Sequence, residues 1–129
     1  MITTNSIFYY NYEITSSNKY IDVNEGSGQV AVQLTVGYYT PTDLALHIQT
    51  KLNDGLGFTY TCTFNRTTKA FTITSSSATD ILCATGTNAS FGVYTLIGFS
   101  LTDKTAITTT TGSSTGASYS PQYKLQDFV

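Results

Sequence analysis

The chain has 129 residues, of which 40% are hydrophobic, 13% aromatic and only 11% charged, with a net charge of −2. That length suits one domain with a core of its own, and the Tyr and Phe content excludes a disordered chain, because it supplies apolar area that offsets chain entropy. The weak negative charge gives no electrostatic footprint for nucleic acid, and no apolar run approaches the ~20 residues of a membrane span.

The charged share is less than half of the roughly 25% usual in soluble domains. Lys19, Lys51, Arg66, Lys69, Lys104 and Lys124 are scattered rather than striped. A Thr-, Ser-, Asn- and Tyr-covered surface is poorly protected by charge repulsion and suits a chain packed against other chains. Thr-rich solvent faces of sheets have the same composition. The N-terminus, MITTNSIFYYNYEI, lacks a basic region followed by a long apolar core, so no secretory signal is expected. The expectation is a soluble chain made in a cytosol and starting at its own methionine.

In chain order, Ile7 to Ile14 alternates with period two, placing Phe8, Tyr10, Tyr12 and Ile14 on one side. Tyr20 to Val23 reads as a short strand closed by the turn cluster NEGSG, Asn24 to Gly28. Gln29 to Val36 reads as the clearest strand, with Val30, Val32, Leu34 and Val36 pointing one way.

A helix over residues 40–53 follows, VGYYTPTDLALHIQTKLNDG being its setting. Thr40 is the N-cap, Pro41 falls at N1 where its missing N–H is harmless, and Asp43 at N3 completes a variant capping box. Leu44, Ile48 and Leu52, with Ala45 beside them, form a narrow apolar stripe suited to lying on a sheet. His47, Gln49, Thr50 and Lys51 cover the remaining circumference, and Asn53-Asp54-Gly55 supplies the stop.

Phe58, Tyr60, Cys62 and Phe64 share a face with threonines opposite, NRTTK connects, and Ala70 to Thr74 returns with Phe71 and Ile73 inward. That is a β-hairpin. The small-residue segment SSSATD, the run ILCA and the loop TGTNAS lead to an apolar patch around Leu96, Ile97 and Phe99. From Thr102 to Ser120 there is almost no apolar anchor except Ala106 and Ile107, so an extended arm or flexible loop is expected. PQYKLQDFV ends the chain with Tyr123, Leu125, Phe128 and Val129, a tip that either docks on a neighbouring chain or folds back as an edge strand. The expected architecture is therefore α+β: a mostly antiparallel sheet or sandwich with one amphipathic helix in a domain of residues 1–101, and an arm of residues 102–129.

No constellation of catalytic, cofactor-binding or metal-binding residues emerges, and no enzyme is expected. His47, the single histidine, lies on the polar side of the helix with no nucleophile turn around it. DVNEG, Asp22 to Gly26, opens like a calcium loop but has Gln33 where the twelfth-position Glu belongs, so a turn is the better reading. Asp22, Glu25, Asp43, Asp54 and Asp80 are read as turn and cap carboxylates, and Asn65 and Asn88 as turn residues rather than glycosylation acceptors. Cys62 and Cys83 lack a CxxC spacing and read as small buried hydrophobes; a disulfide between them is possible but not implied. The tyrosines at 9, 10, 12, 38 and 39 fit core and interface roles or a sugar-stacking surface.

The order of these elements resembles a recurring module of tailed-bacteriophage structural proteins. Gly37, Tyr39 and Thr40 match its opening; Leu44, Ile48, Leu52 and Asn53 match its helix. Asn65, Thr68, Lys69, Phe71, Thr72 and Ile73 match its hairpin, and Leu96, Ile97, Gly98 and Phe99 its closing L-[LI]-G-F. The resemblance spans Gln29 to Ser100 and implies a helix covering the sheet, with Gly98 allowing a close approach before Phe99 fills the core. It also implies a non-enzymatic virion protein, assembled in the host bacterial cytoplasm, whose partners are its own copies and other virion proteins, with no nucleic acid and no membrane. Tail or baseplate is the expected location; capsid decoration, or a module for a host-surface glycan, is the alternative.

Overall fold

Thr40 starts the helix as its chemistry predicts: in the computed structural model its hydroxyl accepts the Asp43 N–H at 3.2 Å, and α1 runs Pro41–Gly55. The helix continues two residues past the expected end, until Leu56 leaves helical geometry with its N–H still bonded to Leu52 O. The structure describes residues 5–113 and 122–128, with side chains over 12–113. Strands β1 (Asn5–Ile14), β2 (Tyr20–Asn24), β3 (Gln29–Gln33) and β4 (Gly37–Tyr39) precede α1. After it come β5 (Tyr60–Asn65), β6 (Ala70–Ile81), a 3-10 turn (Ala89–Phe91), β7 (Lys104–Thr111) and β8 (Gln122–Phe128). The fold is α+β, with two mostly antiparallel sheets and one α-helix among the described residues.

The smaller sheet has the order β4-β1-β8; the larger has β3-β2-β6-β5, with β7 also on β6. β1 is shared along its length. Residues 12–14 pair with β4, while Asn5 to Asn11 pair with Phe128 to Gln122 of β8. The end of the chain thus folds back as an edge strand, one of the two outcomes open from sequence. The inward set Phe8 and Tyr10, the apolar tip, and residues 114–121 of the expected arm lie outside the described side chains or residues.

The β5–β6 hairpin forms as expected, in register Tyr60↔Ser75 to Asn65↔Ala70. Asn65 shapes its turn by accepting the N–H groups of Thr67 and Thr68 at 2.8 and 3.1 Å. β6 then continues through SSSATD to Ile81, where apolar alternation gives no strand signal. Ser75 and Thr79 are buried there because backbone oxygens satisfy them: Ser75 Oγ donates to Ser77 O at 2.7 Å and Thr79 Oγ1 to Asn24 O at 3.3 Å.

Residues 104–111 correct the expectation of an arm from Thr102. KTAITTTT is strand β7, paired from Ile81↔Lys104 to Thr72↔Thr111 with register shifts around Thr79. Threonine's β-branched side chain suits a half-exposed pleated edge without an apolar anchor. The expected strand over 29–36 is also shorter, ending at Gln33; Val32 and Leu34 are buried but Val36 is 57% exposed.

The core lies between α1, the larger sheet and the end of β1. Leu44, Ile48 and Leu52 are at most 1% exposed and Ala45 is buried beside them, among Tyr12, Ile14, Ile21, Phe71 and Ile73. Tyr12 joins the two sheets by packing on Phe71, with ring centroids 5.5 Å apart. Val93, Tyr94, Ile97 and Phe99 close the core from the long 82–103 connection.

Candidate interaction surface

Three polar side chains of α1, His47, Gln49 and Asn53, hold the backbone of neighbouring segments. Gln49 Oε1 accepts Cys62 N–H at 3.0 Å. One turn on, Asn53 accepts Tyr60 N–H at 2.8 Å and donates to Tyr60 O at 2.9 Å, pairing like a further strand. The helix therefore seals the outer edge of β5 as well as covering the core, which protects that edge against pairing. On the other flank His47 Nε2 accepts Thr35 N–H at 3.0 Å while its ring stacks on Tyr39 at 4.8 Å. The spacing of Gln49 and Asn53, i and i+4 beside the apolar stripe, is the signal that sequence reading passed over.

The carboxylates are fasteners. Asp22, read as a turn residue, is instead fully buried in β2, where its two oxygens accept Asn88 N–H at 2.8 Å and Asn88 Nδ2 at 3.1 Å. Tyr94 Oη accepts the Asp22 N–H at 2.8 Å, and burial pushes that phenol up strongly. Glu25 accepts Gly57 and Phe58 N–H and the Tyr60 hydroxyl at 2.9, 2.8 and 2.6 Å. Desolvation would raise its carboxyl, but the Tyr60 hydroxyl and the two N–H groups outweigh that and hold it below the usual range. Burial, with Glu25 beside it, pushes Tyr60 up to about 12. Asp103 is likewise held low by the Thr85 hydroxyl and Ala84 N–H, and Asp80 accepts Ala106 N–H at 2.7 Å, fixing the irregularity in β7.

Asp22→Asn follows as a sharp test of this fastening. The amide keeps one acceptor and turns an NH2 toward one of Asn88's donors, so a loss of about 1–3 kcal/mol in unfolding free energy is expected by urea titration. An unchanged midpoint would show that Asn88 does not depend on the second oxygen.

Cys62 and Cys83 are free, buried thiols. Burial pushes them up to about 12 and about 11, respectively, the reverse of an activated nucleophile. Among the described residues no group of three or more His, Cys, Asp or Glu side chains is placed to hold a metal, and no helix is long and apolar enough to cross a membrane. Comparison with protein-family models, curated proteins and solved structures finds no match.

The distinctive surface is the outer face of the larger sheet. The register sets Thr61, Thr74 and Thr109 in one row and Thr63, Thr72 and Thr111 in the next, across β5, β6 and β7. The four threonines on the outer strands are exposed and the central two half-buried. Hydroxyl contacts stiffen the rows: Thr61 with Thr74, and Thr72 with Thr111 at 3.0 Å. Among the described residues no charged side chain interrupts this patch, and β7, paired there with β6 alone, borders it as an edge strand.

Proposed function

We propose that this chain is a non-enzymatic structural protein of a tailed-phage virion, built in many copies into the tail or baseplate. The observation that carries the reading is the uncharged threonine face bordered by the β7 edge. Natural sheets usually protect such edges with charge, proline, a bulge or a covering helix. Here α1 covers β5, and the charge of Lys104 and the irregularity of β7 lie at its start, so its end, Thr109, Thr110 and Thr111, is a regular uncharged edge. A neighbouring subunit would complete the ladder and exclude water from the threonine rows. The low charge of the chain and its resemblance to phage structural modules support the same reading, and decoration of a capsid lattice would use the same surface.

The test pairs solution assembly with virion incorporation. The wild-type chain is expected to self-associate in light scattering as concentration rises and to join particles reconstituted with the remaining virion proteins. Thr109→Lys with Thr111→Lys should leave the circular-dichroism spectrum unchanged while abolishing both. A chain that stays monomeric and is absent from particles by mass spectrometry would end the proposal. Glycan binding lost on Tyr38→Ala would favour a receptor-binding module, since Tyr38 is 60% exposed.

A further inference from the structure

The connection between β3 and β4 is only three residues long, and each of its first two peptide units is held from a different direction. Leu34 N–H donates to Lys19 O at 2.7 Å. Thr35 N–H donates to His47 Nε2 at 3.0 Å, and Thr35 O accepts the Tyr39 hydroxyl at 2.7 Å. Tyr39 also stacks on the His47 ring, with an interplanar angle of 28°. One imidazole and one phenol thus grip a single residue, and just beyond it stand Val36 and Tyr38, 57% and 60% exposed. An imidazole nitrogen accepts a hydrogen bond only while it carries no proton, so this grip requires neutral His47 with its proton on Nδ1.

We infer that His47 is a pH-sensitive latch on the β3–β4 connection, whose protonation expels the Thr35 N–H and releases Thr35 and the exposed Val36 beside it, while β4 stays paired with β1. Protonated Nε2 is a donor and meets a second donor at Thr35, so these two groups must separate, while the Tyr39 ring face can keep hold of the cation. The charged groups around the ring do not compensate. On α1 itself Lys51 is one turn beyond and repels the cation, while Asp43, one turn before, serves the N-terminus of the helix. From β4 the ring meets Tyr39; on β1, Glu13 is engaged by Tyr38. In the β1–β2 connection Lys19 sets its ammonium over the Tyr20 ring at 5.6 Å. β3 and β5, the other strands beside α1, contain no charged residue.

Burial, then Lys51, lowers the titration of His47 below its ordinary 6.5. The unfolded chain therefore takes up the proton first as pH falls. The latch contributes its full stability above about 6.5 and loses it progressively as pH drops toward the folded value.

The test is NMR on the intact chain. At about pH 7.5 the His47 ring nitrogens should report the Nδ1–H tautomer. Between about pH 7.5 and pH 5 the Thr35 amide should lose about tenfold in protection, corrected for intrinsic exchange, the factor expected for one lost hydrogen bond. That loss should track the His47 titration, while the Tyr60 and Cys62 amides on the far flank of α1 stay protected. His47→Gln, which keeps an acceptor without a titration, should remove the pH dependence at Thr35. An Nε2–H tautomer, Thr35 protection that is flat through the titration, or a uniform loss across both flanks of α1 would each overturn the latch.

Discussion

Leu44→Asp is expected to leave the chain unfolded under conditions where the parent is stable. Leu44 is fully buried, one turn into α1, in the cluster that also holds Ile48, Leu52 and Phe71. Removing a leucine's packing costs about 2–5 kcal/mol. Desolvating a carboxylate with no cation in that cluster adds several more. Together these reach the lower part of the roughly 5–15 kcal/mol by which small domains are stable, enough to unfold a domain of ordinary marginal stability. His47→Ala removes one acceptor from the Thr35 amide, whose residue is exposed and which water can reach, a loss of about 0.5–1.5 kcal/mol. Urea titrations followed by circular dichroism should therefore show a cooperative transition for His47→Ala and none for Leu44→Asp. A native-like midpoint for Leu44→Asp would mean that the stripe does not close the core.

Gly98→Ala is expected to cost more than about 3 kcal/mol, from two causes that add. Gly98 has φ +83°, a region that L side chains avoid, and a Cβ there would lie 2.3 Å from Ser113 O and 3.1 Å from Ser113 N. Both obstructing atoms are backbone, so no side chain can swing aside. The same contact carries the Ser113 N–H to Gly98 O bond at 2.8 Å, and the preceding Gly112 N–H bonds Phe71 O at 2.8 Å. The junction fastens the end of β7 to the 82–103 connection. Amide exchange at Gly112 and Ser113 should accelerate in the variant before the rest of the sheet responds. Gly55→Ala is the matched control of opposite sign. Gly55 lies in the last turn of α1, where a Cβ meets only Val32 Cγ2 at 3.6 Å, so a gain of up to about 1 kcal/mol is expected. Equal losses at both positions would show that generic glycine replacement, not the Gly98 contact, is being measured.

These two positions mark how far local reading reached. The helix and its cap were legible because Thr40-Pro41 and the Leu44, Ile48, Leu52 stripe are short-range signals in α1. The hairpin was legible from the alternation of Tyr60, Cys62, Phe71 and Ile73, all of which are buried. Gly98 and Phe99 were placed correctly by resemblance to a packing motif, Phe99 being 3% exposed. The two missed strand segments share one cause. Residues 75–81 and 104–111 are polar strands whose pairing partners are far along the chain, so hydrophobic periodicity carries no trace of them.

The same division runs through the candidate surface. Alternation alone told that Thr61 and Thr63 face away from the core, because a strand's side-chain period is two. Only the register between β5, β6 and β7 could align them with Thr72, Thr74, Thr109 and Thr111 into two rows. Likewise, sequence placed His47 and Gln49 on the polar circumference of α1 and Asn53 in its stop, but not on the backbones of Thr35, Cys62 and Tyr60. Asp22 looked like a turn carboxylate until the chain brought Asn88 across to it. What the amino-acid sequence determined by itself is set within one helical turn or one strand pair: caps, stripes, alternation and tight turns. What tertiary structure decided is which polar groups meet across the fold, because a donor and acceptor distant along the chain find each other only after the core has closed between them.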